Sequence, residues 1–148
     1  IALNNIKQLE VITELTAIEP VSCNPSQINQ VLLNLFNNAA QAMEQTQHPT
    51  LQITSTEDGA NVYISVADNG TGMSAETQAK IFEPFFTTKA AGEGTGLGLA
   101  ISTQIMQQHN GDIHVQSQLG EGTTFTIRLP KTAISSQQSP KLLIAEES

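Results

Sequence analysis

Residues 24–45 read NPSQINQVLLNLFNNAAQAMEQ, and the architecture of the chain can be worked out from this segment. Asn24 precedes Pro25, as expected of an N-cap followed by the first residue of a helix. The apolar residues recur at intervals of three and four, which is typical of a helix with one buried face; they are Ile28, Val31, Leu32, Leu35, Phe36, Ala39, Ala42 and Met43. The segment therefore predicts a long amphipathic helix that ends at about Gln45.

Amide side chains form a polar stripe along this helix. Asn34 and Asn38 are four residues apart and so lie on one helix face. Two amide oxygens one turn apart can meet a hard cation such as Mg²⁺, while their NH₂ groups can reach phosphate oxygens. The ordinary alternative is a solvated helix face, but here the stripe interrupts a strongly apolar helix.

The segments around the helix alternate apolar and polar residues and predict strands. Asp58-Gly59 and the Gly120–Gly122 region are typical of the tight turns of two hairpins. The predicted strands are residues 10–17, 51–57, 61–67, 112–118 and 123–129, and further helices are predicted for residues 74–80 and 97–108. The order of these elements predicts an α+β, two-layer sandwich whose mixed, mostly antiparallel sheet has helices on one face.

The remaining segments set the expected domain limits. Residues 1–9 are interpreted as the end of a preceding segment, residues 10–131 as one domain, and residues 132–148 as a linker and tail with a short strand-like stretch at 141–145. Residues 20–25 are predicted to be a connection. The tail also resembles, faintly, the first strand of a receiver domain, although an edge strand or a disordered tail is the simpler interpretation.

The charge balance excludes some classes of partner. The chain has 148 residues and 6 Lys+Arg against 14 Asp+Glu, which gives a net charge of −8. A nucleic-acid interface or an anionic membrane surface requires a basic face, so neither partner is expected. The single cysteine, Cys23, and the absence of a signal peptide or a long apolar run in the sequence favour a cytoplasmic location.

A glycine-containing turn follows the predicted strand at 61–67. It reads Asp68-Asn69-Gly70-Thr71-Gly72-Met73. Glycines let the backbone approach a ligand closely, and a carboxylate at a strand end can accept a hydrogen bond from an exocyclic amine. The alternative is an ordinary Asp/Gly turn.

A second glycine-rich stretch, at residues 92–98, opens the helix predicted for 97–108. Free backbone N–H groups and the helix dipole make such a terminus suitable for an anion. The stretch is not a P-loop, because no Gly-Lys-Ser/Thr closes it. A linker is the alternative, but a periodic helix continues directly from it. The preceding segment, Phe82 to Lys89, combines three Phe with a terminal Lys and predicts a hydrophobic hinge or a core-packing segment.

The order and spacing of these motifs resemble the ATP-binding catalytic domain of bacterial sensor histidine kinases, in the superfamily that includes DNA gyrase. Residues 30–39 resemble the N box of that family, 68–73 its G1 box, 82–86 its F box and 92–99 its G2 box, and Gly122-Thr123-Thr124-Phe125 matches a further short motif. The resemblance covers residues 10–130 and implies the Bergerat ATP-binding fold.

The resemblance implies a role for each motif residue. Asp68 would hydrogen-bond the adenine amino group, with Gly70, Gly72 and Thr123 nearby, and Asn38 would ligate Mg²⁺. Catalytic roles would fall to Asn34, which is also a second candidate Mg²⁺ ligand, and to Lys89. The residues expected to hold the phosphates under a lid at 87–95 are Lys89, Gly94, Gly96, Leu97 and Gly98. The expected cofactors are ATP and Mg²⁺.

Departures from related sequences indicate the reaction. In hydrolysing relatives a Glu base lies one turn before the Mg²⁺-binding Asn; here the residue is Asn34, which cannot take a proton, so transfer is favoured over hydrolysis. Gln41 stands where many sensor kinases have Lys. His48, His109 and His114 do not match the phosphoacceptor context, and His109 is predicted to contact the last carbonyls of its helix. The expected partners are therefore the kinase's own histidine-containing dimerisation domain, outside this chain, and a downstream response regulator.

Two other functions remain open from the sequence. One is a conformational ATPase clamp of the same superfamily, which would hydrolyse ATP as a dimer. The other is a non-catalytic interaction module that regulates a partner, against which the intact motifs count.

Overall fold

The computed structural model describes residues 9–16, 21–84, 86 and 98–131 together with the backbone of 141–142. The predicted lid at 87–95 and linker at 132–140 lie outside these residues. The elements, in chain order, are β1 (Glu10–Leu15), β2 (Val21–Ser22), α1 (Pro25–Ala42), β3 (Thr50–Glu57), β4 (Asn61–Asp68), α2 (Ala75–Gln78), α3 (Gly98–Gln108), β5 (Asp112–Gln118), β6 (Gly122–Pro130) and β7 (Lys141–Leu142).

Five strands form the main sheet, in the order β1-β3-β4-β6-β5. β1 is parallel to β3, and every other neighbouring pair in this sheet is antiparallel. β4 and β6 are central, and their register sets Asp68 opposite Thr123. The two central strands thus bring two of the predicted site residues together at one end of the sheet.

The core lies between one face of the sheet and the two longer helices. Burial alternates strictly along β4, where Val62, Ile64 and Val66 are buried, and the residues opposite them in β6 are buried as well. α1 contributes Ile28, Val31, Leu35 and Ala39 to this core, and α3 contributes Ile105 and Met106. Because α1 and α3 pack on the same face of the sheet, the predicted two-layer sandwich is confirmed.

The other face of the sheet carries polar side chains. Ser65 of β4 and Thr126 of β6 form a hydrogen bond between their hydroxyls (2.8 Å), and Arg128 of β6 contacts Asp112 of β5 and Asn61 of β4. An antiparallel sheet with one wet face and one packed face needs only a single layer of helices. Charged residues make up only 14% of the chain, so hydroxyl and amide groups supply much of the polarity of this face.

The start of α1 matches the prediction, and its end does not. Asn24 is the N-cap, and its side chain accepts a hydrogen bond from the backbone N–H of Gln27 (3.2 Å). The helix ends at Ala42 instead of about Gln45, because the carbonyl of Ala42 accepts the backbone N–H of Thr71 (3.1 Å) from the following loop. A long-range contact therefore ends the helix earlier than its apolar period indicates.

Two predicted segments differ in the structure. The connection predicted at 20–25 contains the two-residue strand β2, which pairs with β7 from the predicted tail. The predicted helix at 74–80 is a single turn, α2, capped by Ser74, because the N–H of Lys80 bonds to Thr77 and tightens the chain.

Within the described part of the chain, no helix has both the length and the hydropathy needed to cross a membrane.

Candidate nucleotide-binding site

Asp68 ends β4 and faces a turn that its own side chain helps to shape. Its carboxylate accepts the backbone N–H of Gly70 (2.8 Å), two residues further on, and also receives a backbone hydrogen bond from Thr123. The side chain is only partly buried, so its polar edge remains available to a ligand. The arrangement presents a fixed acceptor at the end of the central strand pair.

Burial raises the pKa of Asp68, and the two backbone N–H groups lower it by a smaller amount. The net result is a carboxyl group whose pKa lies above its usual range. A raised pKa with a specific environment is frequent at functional sites. Loss of water around the carboxylate also strengthens any hydrogen bond that a ligand donates to it.

Glycines are required where the turn meets its neighbours. Gly72 has a φ of +70°, and a Cβ there would lie 1.9 Å from the carbonyl oxygen of Gln118. A Cβ on Gly70 would lie 2.3 Å from the carbonyl oxygen of Ala42 at the end of α1. The turn at 69–73 is therefore packed backbone to backbone against both α1 and the β5–β6 hairpin. Any side chain at position 70 or 72 would collide with these neighbours, so glycine is required at both positions.

A network of hydroxyl groups holds the same turn to the end of the sheet. Ser117 of β5 accepts the backbone N–H of Met73 (2.8 Å) and hydrogen-bonds the hydroxyl of Thr123 (2.7 Å). Gln78 donates to the carbonyl oxygens of Met73 and Ser117, both at 3.1 Å. Thr123 is buried within this network, so its hydroxyl has a fixed position beside Asp68.

The two asparagines of α1 make different contacts. The Nδ2 group of Asn38 donates to the backbone carbonyl of Asn34 (3.0 Å), so its Oδ1 is the atom left for a cation. The Nδ2 group of Asn34 instead donates to the carbonyl of Gly98 and to the hydroxyl of Ser102, both at 3.0 Å. Asn34 thus joins α1 to the first turn of α3.

The structure brings together most of the described residues that the sequence singled out. Gly98 begins α3 directly beside Asn34, where a Cβ on Gly98 would be 3.6 Å from the Asn34 Cγ. The turn containing Gly70 and Gly72 contacts the carboxyl end of α1, one turn beyond Asn38. Lys89, Gly94, Gly96 and Leu97 lie outside the described residues, and so does the predicted lid.

The aromatic segment before the lid packs into the core. The rings of Phe82 and Phe125 meet edge to face with centroids 6.4 Å apart, and Phe86 also packs against the core. The core-packing alternative for these two residues is therefore confirmed. Phe85 lies outside the described residues.

Three polar residues that hold the site together were not predicted from the sequence. Ser117 and Gln78 give no periodic signal, because their contacts depend on how two loops meet. Ser102 does give one, since it occupies the apolar stripe of α3 and is fully buried between Leu99 and Ile105 on that face. A hydroxyl at an apolar position of a packed helix indicates a partner on the facing helix.

Both ring nitrogens of His109 have hydrogen-bond partners within the fold, so this histidine has a structural role. The ring is buried, with Nδ1 2.9 Å from the carbonyl oxygen of Ile105 and Nε2 accepting the backbone N–H of Asn24 (3.0 Å). The predicted contact with the last turn of its helix is confirmed. His114 is an exposed strand residue beside Asp112.

Comparison with known proteins agrees with this geometry. A family model described as histidine kinase-, DNA gyrase B-, and HSP90-like ATPase matches residues 23–133. The chain therefore belongs to this family of ATP-binding domains, and its resemblance to the catalytic domains of sensor histidine kinases is confirmed.

The individual relatives are kinases. Sensor histidine kinase ZraS of Escherichia coli (strain K12) is 51% identical over 110 residues, which are 74% of this chain and 23% of that protein. Signal transduction histidine-protein kinase AtoS of the same organism is 44% identical over 124 residues, 83% of this chain and 20% of that protein. This chain thus spans less than a quarter of the length of either relative.

Solved structures also resemble this chain over most of its length. The catalytic domain of histidine kinase ThkA has a TM-score of 0.74 and 32% identity, covering 86% of this chain and 82% of that one. Full-length ShkA in complex with AMPPNP has a TM-score of 0.71 and 31% identity, covering 86% of this chain and 27% of that one.

The raised pKa of Asp68 predicts a pH-dependent stability of the nucleotide-free domain. The folded state binds the Asp68 proton more tightly than the unfolded chain does, so the free energy of unfolding falls as pH rises from about 4 through the raised pKa. Asp68→Asn removes this cost. The variant is expected to unfold at a higher temperature than the wild type at pH 7, with a smaller difference at pH 4, in thermal unfolding without nucleotide. A difference independent of pH would contradict the prediction.

Proposed function

We propose that the chain is the ATP-binding catalytic domain of a two-component sensor histidine kinase. It would bind Mg²⁺-ATP and deliver the γ-phosphate to a histidine on the kinase's dimerisation domain, from which a response regulator takes it in the cytoplasm. The observation that carries the proposal is the contact between the Thr71 N–H and the Ala42 carbonyl, which joins the turn after Asp68 to the helix of Asn34 and Asn38. One continuous site would then have the Asp68 carboxylate as an acceptor at one end and the amide side chains of Asn34 and Asn38 at the other.

The adenine end would be recognised by Asp68. A carboxylate held by the N–H groups of Gly70 and Thr123 has a fixed direction, so an exocyclic amine can donate to its remaining lone pairs. The hydroxyl of Thr123 lies beside it, held by Ser117. This set contains acceptors and hydroxyls but no cation, which suits a neutral purine better than an anion.

The phosphate end would use Asn38 and the start of α3. The Oδ1 of Asn38 is a hard, neutral oxygen, and its Nδ2 is already bound within the helix, so the donor set fits Mg²⁺ with phosphate oxygens and water as the other ligands. Bound there, Mg²⁺ would supply charge neutralisation to the phosphates. The N-terminal N–H groups of α3 would hold phosphate oxygens, and Lys89 would add a positive charge.

Transfer is favoured over hydrolysis because the site lacks a base at the relevant position. Asn34 has both amide hydrogens engaged and cannot accept a proton from water. The domain would therefore act by orienting the γ-phosphate toward an incoming imidazole nitrogen and by stabilising the charge of the transition state. The related full-length ShkA was solved in complex with AMPPNP, which supports nucleotide binding by this chain.

The test is reconstitution of the transfer in two pieces. The chain, mixed with the kinase's own dimerisation domain and γ-labelled ATP, is expected to produce acid-labile phosphohistidine on that domain. Replacing the acceptor histidine by Gln should abolish the label, and the Asp68→Asn chain should slow its appearance at least tenfold at ATP concentrations below KM. Steady phosphate release without labelling would support the ATPase clamp. ATP binding without either reaction would support a regulatory module.

A further inference from the structure

Ser102 is a buried polar residue that none of the nucleotide-binding motifs explains. Its side chain has 0% exposure and lies at the interface between α3 and α1. Its hydroxyl accepts a hydrogen bond from the Nδ2 group of Asn34 (3.0 Å). Burying a hydroxyl costs desolvation free energy, which an apolar residue at this position would not incur. The hydrogen bond to Asn34 offsets part of that cost.

The amide of Asn34 uses its full donor capacity in this region. One hydrogen goes to Ser102 and the other to the carbonyl oxygen of Gly98, while Oδ1 accepts from the Nε2 of Gln30 (3.1 Å). Three fixed contacts hold the amide plane in one orientation. Its oxygen points along its own helix to Gln30, whereas its nitrogen bridges to α3.

The side chain of Asn38 has fewer hydrogen-bond partners among the described residues than that of Asn34. Its Nδ2 bonds only within α1, to the backbone carbonyl of Asn34, and its Oδ1 has no hydrogen bond among the described residues. Asn34 therefore supports the site on two sides: its backbone orients the side chain of Asn38, and its side chain fixes the start of α3.

We propose that Asn34 and Ser102 form a clamp that positions the first turn of α3 for the triphosphate, with Asn34 acting as a positioning residue and not as a metal ligand. The proposal rests on the proposed function. Backbone N–H groups stabilise a phosphate only at hydrogen-bond distance, so a small shift of Gly98 relative to Asn38 weakens binding. Ser102 acts through Asn34 and touches no nucleotide.

The test compares two serines. Ser55 is also 0% exposed, and within the described part of the chain its hydroxyl donates one hydrogen bond, to the carbonyl of Thr16 (3.1 Å), but it lies in β3, away from α3. Ser102→Ala and Ser55→Ala should both lower the unfolding temperature. Only Ser102→Ala should weaken ATP binding in calorimetry with saturating Mg²⁺. The expected loss of affinity is about threefold to tenfold, which corresponds to the net free energy of one hydrogen bond.

Two further variants make the result specific. On an Asn34→Ala background, Ser102→Ala should cause no further loss of ATP affinity, because the clamp is already broken. Asn34→Asp keeps oxygens for a cation but can no longer donate to the Gly98 carbonyl, so it should bind Mg²⁺-ATP more weakly than the wild type, even though its carboxylate can accept the Ser102 hydroxyl. If Ser102→Ala does not fold, Ser102→Cys serves as the near-isosteric replacement with a weak hydrogen bond.

The outcomes separate the two proposals. Wild-type ATP affinity in Ser102→Ala, additive losses in the double variant, or wild-type Mg²⁺-ATP binding by Asn34→Asp would each overturn the clamp and leave the proposed function standing. A wild-type chain that binds no ATP would overturn the proposed function itself.

Discussion

Asp68→Asn is expected to lower the affinity for ATP by about tenfold to a hundredfold, the range for losing a hydrogen bond to a charged group. The Asn oxygen can still accept the N–H of Gly70, so the turn should keep its shape. The other carboxylate oxygen, however, becomes an NH₂ group that would face the adenine amine donor to donor. Titration calorimetry with ATP and Mg²⁺ measures the loss directly.

Asp58→Asn is the matched control. Asp58 lies directly after β3, as Asp68 lies at the end of β4, and its Oδ1 also accepts the backbone N–H two residues further on (Ala60, 2.8 Å), but it lies in the β3–β4 turn at the opposite end of β4. Its replacement should leave ATP affinity unchanged. Equal losses in the two variants would show that any change of this turn type weakens binding, and the role assigned to Asp68 would fail.

Gly72→Ala is expected to lower the free energy of unfolding by roughly 3 to 5 kcal/mol, which combines a left-handed residue with a severe overlap in a packed region. The added Cβ would lie 1.9 Å from the carbonyl oxygen of Gln118, a backbone atom, so one of the two backbone segments would have to shift to relieve the overlap. Chemical denaturation of the nucleotide-free domain measures this quantity.

Gly120→Ala separates strain from overlap. Gly120 has a similar φ of +81°, but a Cβ there would meet nothing within 4 Å. Its replacement should cost only about 1 to 2 kcal/mol, the price of the left-handed conformation alone. If both variants lost the same amount, the close contact between the turn and the β5–β6 hairpin would have no energetic importance.

The local signals in the sequence predicted most of the fold. The N-cap at Asn24, the turn residues at Asp58-Gly59 and the alternation in β4 and β5 each depend on neighbours in the chain, and the structure confirms them. Asn110 lies two residues after the end of α3 and has a φ of +60°, the left-handed conformation that is common at helix C-termini. These features could be predicted because their physical causes lie within a few residues.

The features that could not be predicted depend on distant partners. The strand β2 has only two residues, too few for any period, and pairs with β7, which lies within the strand-like stretch predicted at 141–145. The end of α1 is set by Thr71, and the role of Ser102 depends on an amide from α1. The candidate ligands of the site could therefore be predicted from the sequence, whereas the residues that hold them in place could not.

The order of the strands also determines when a nucleotide can first assist folding. β3 and β4 are consecutive and form a local hairpin, but β4 meets its other neighbour, β6, only after α3 and β5 have been synthesised. Such non-local pairing is slow, because loop closure precedes the contacts that reward it. Thr123, the last described residue of the proposed site, lies in β6, so we expect ATP to stabilise by mass action the domain in which β6 has already paired with β4.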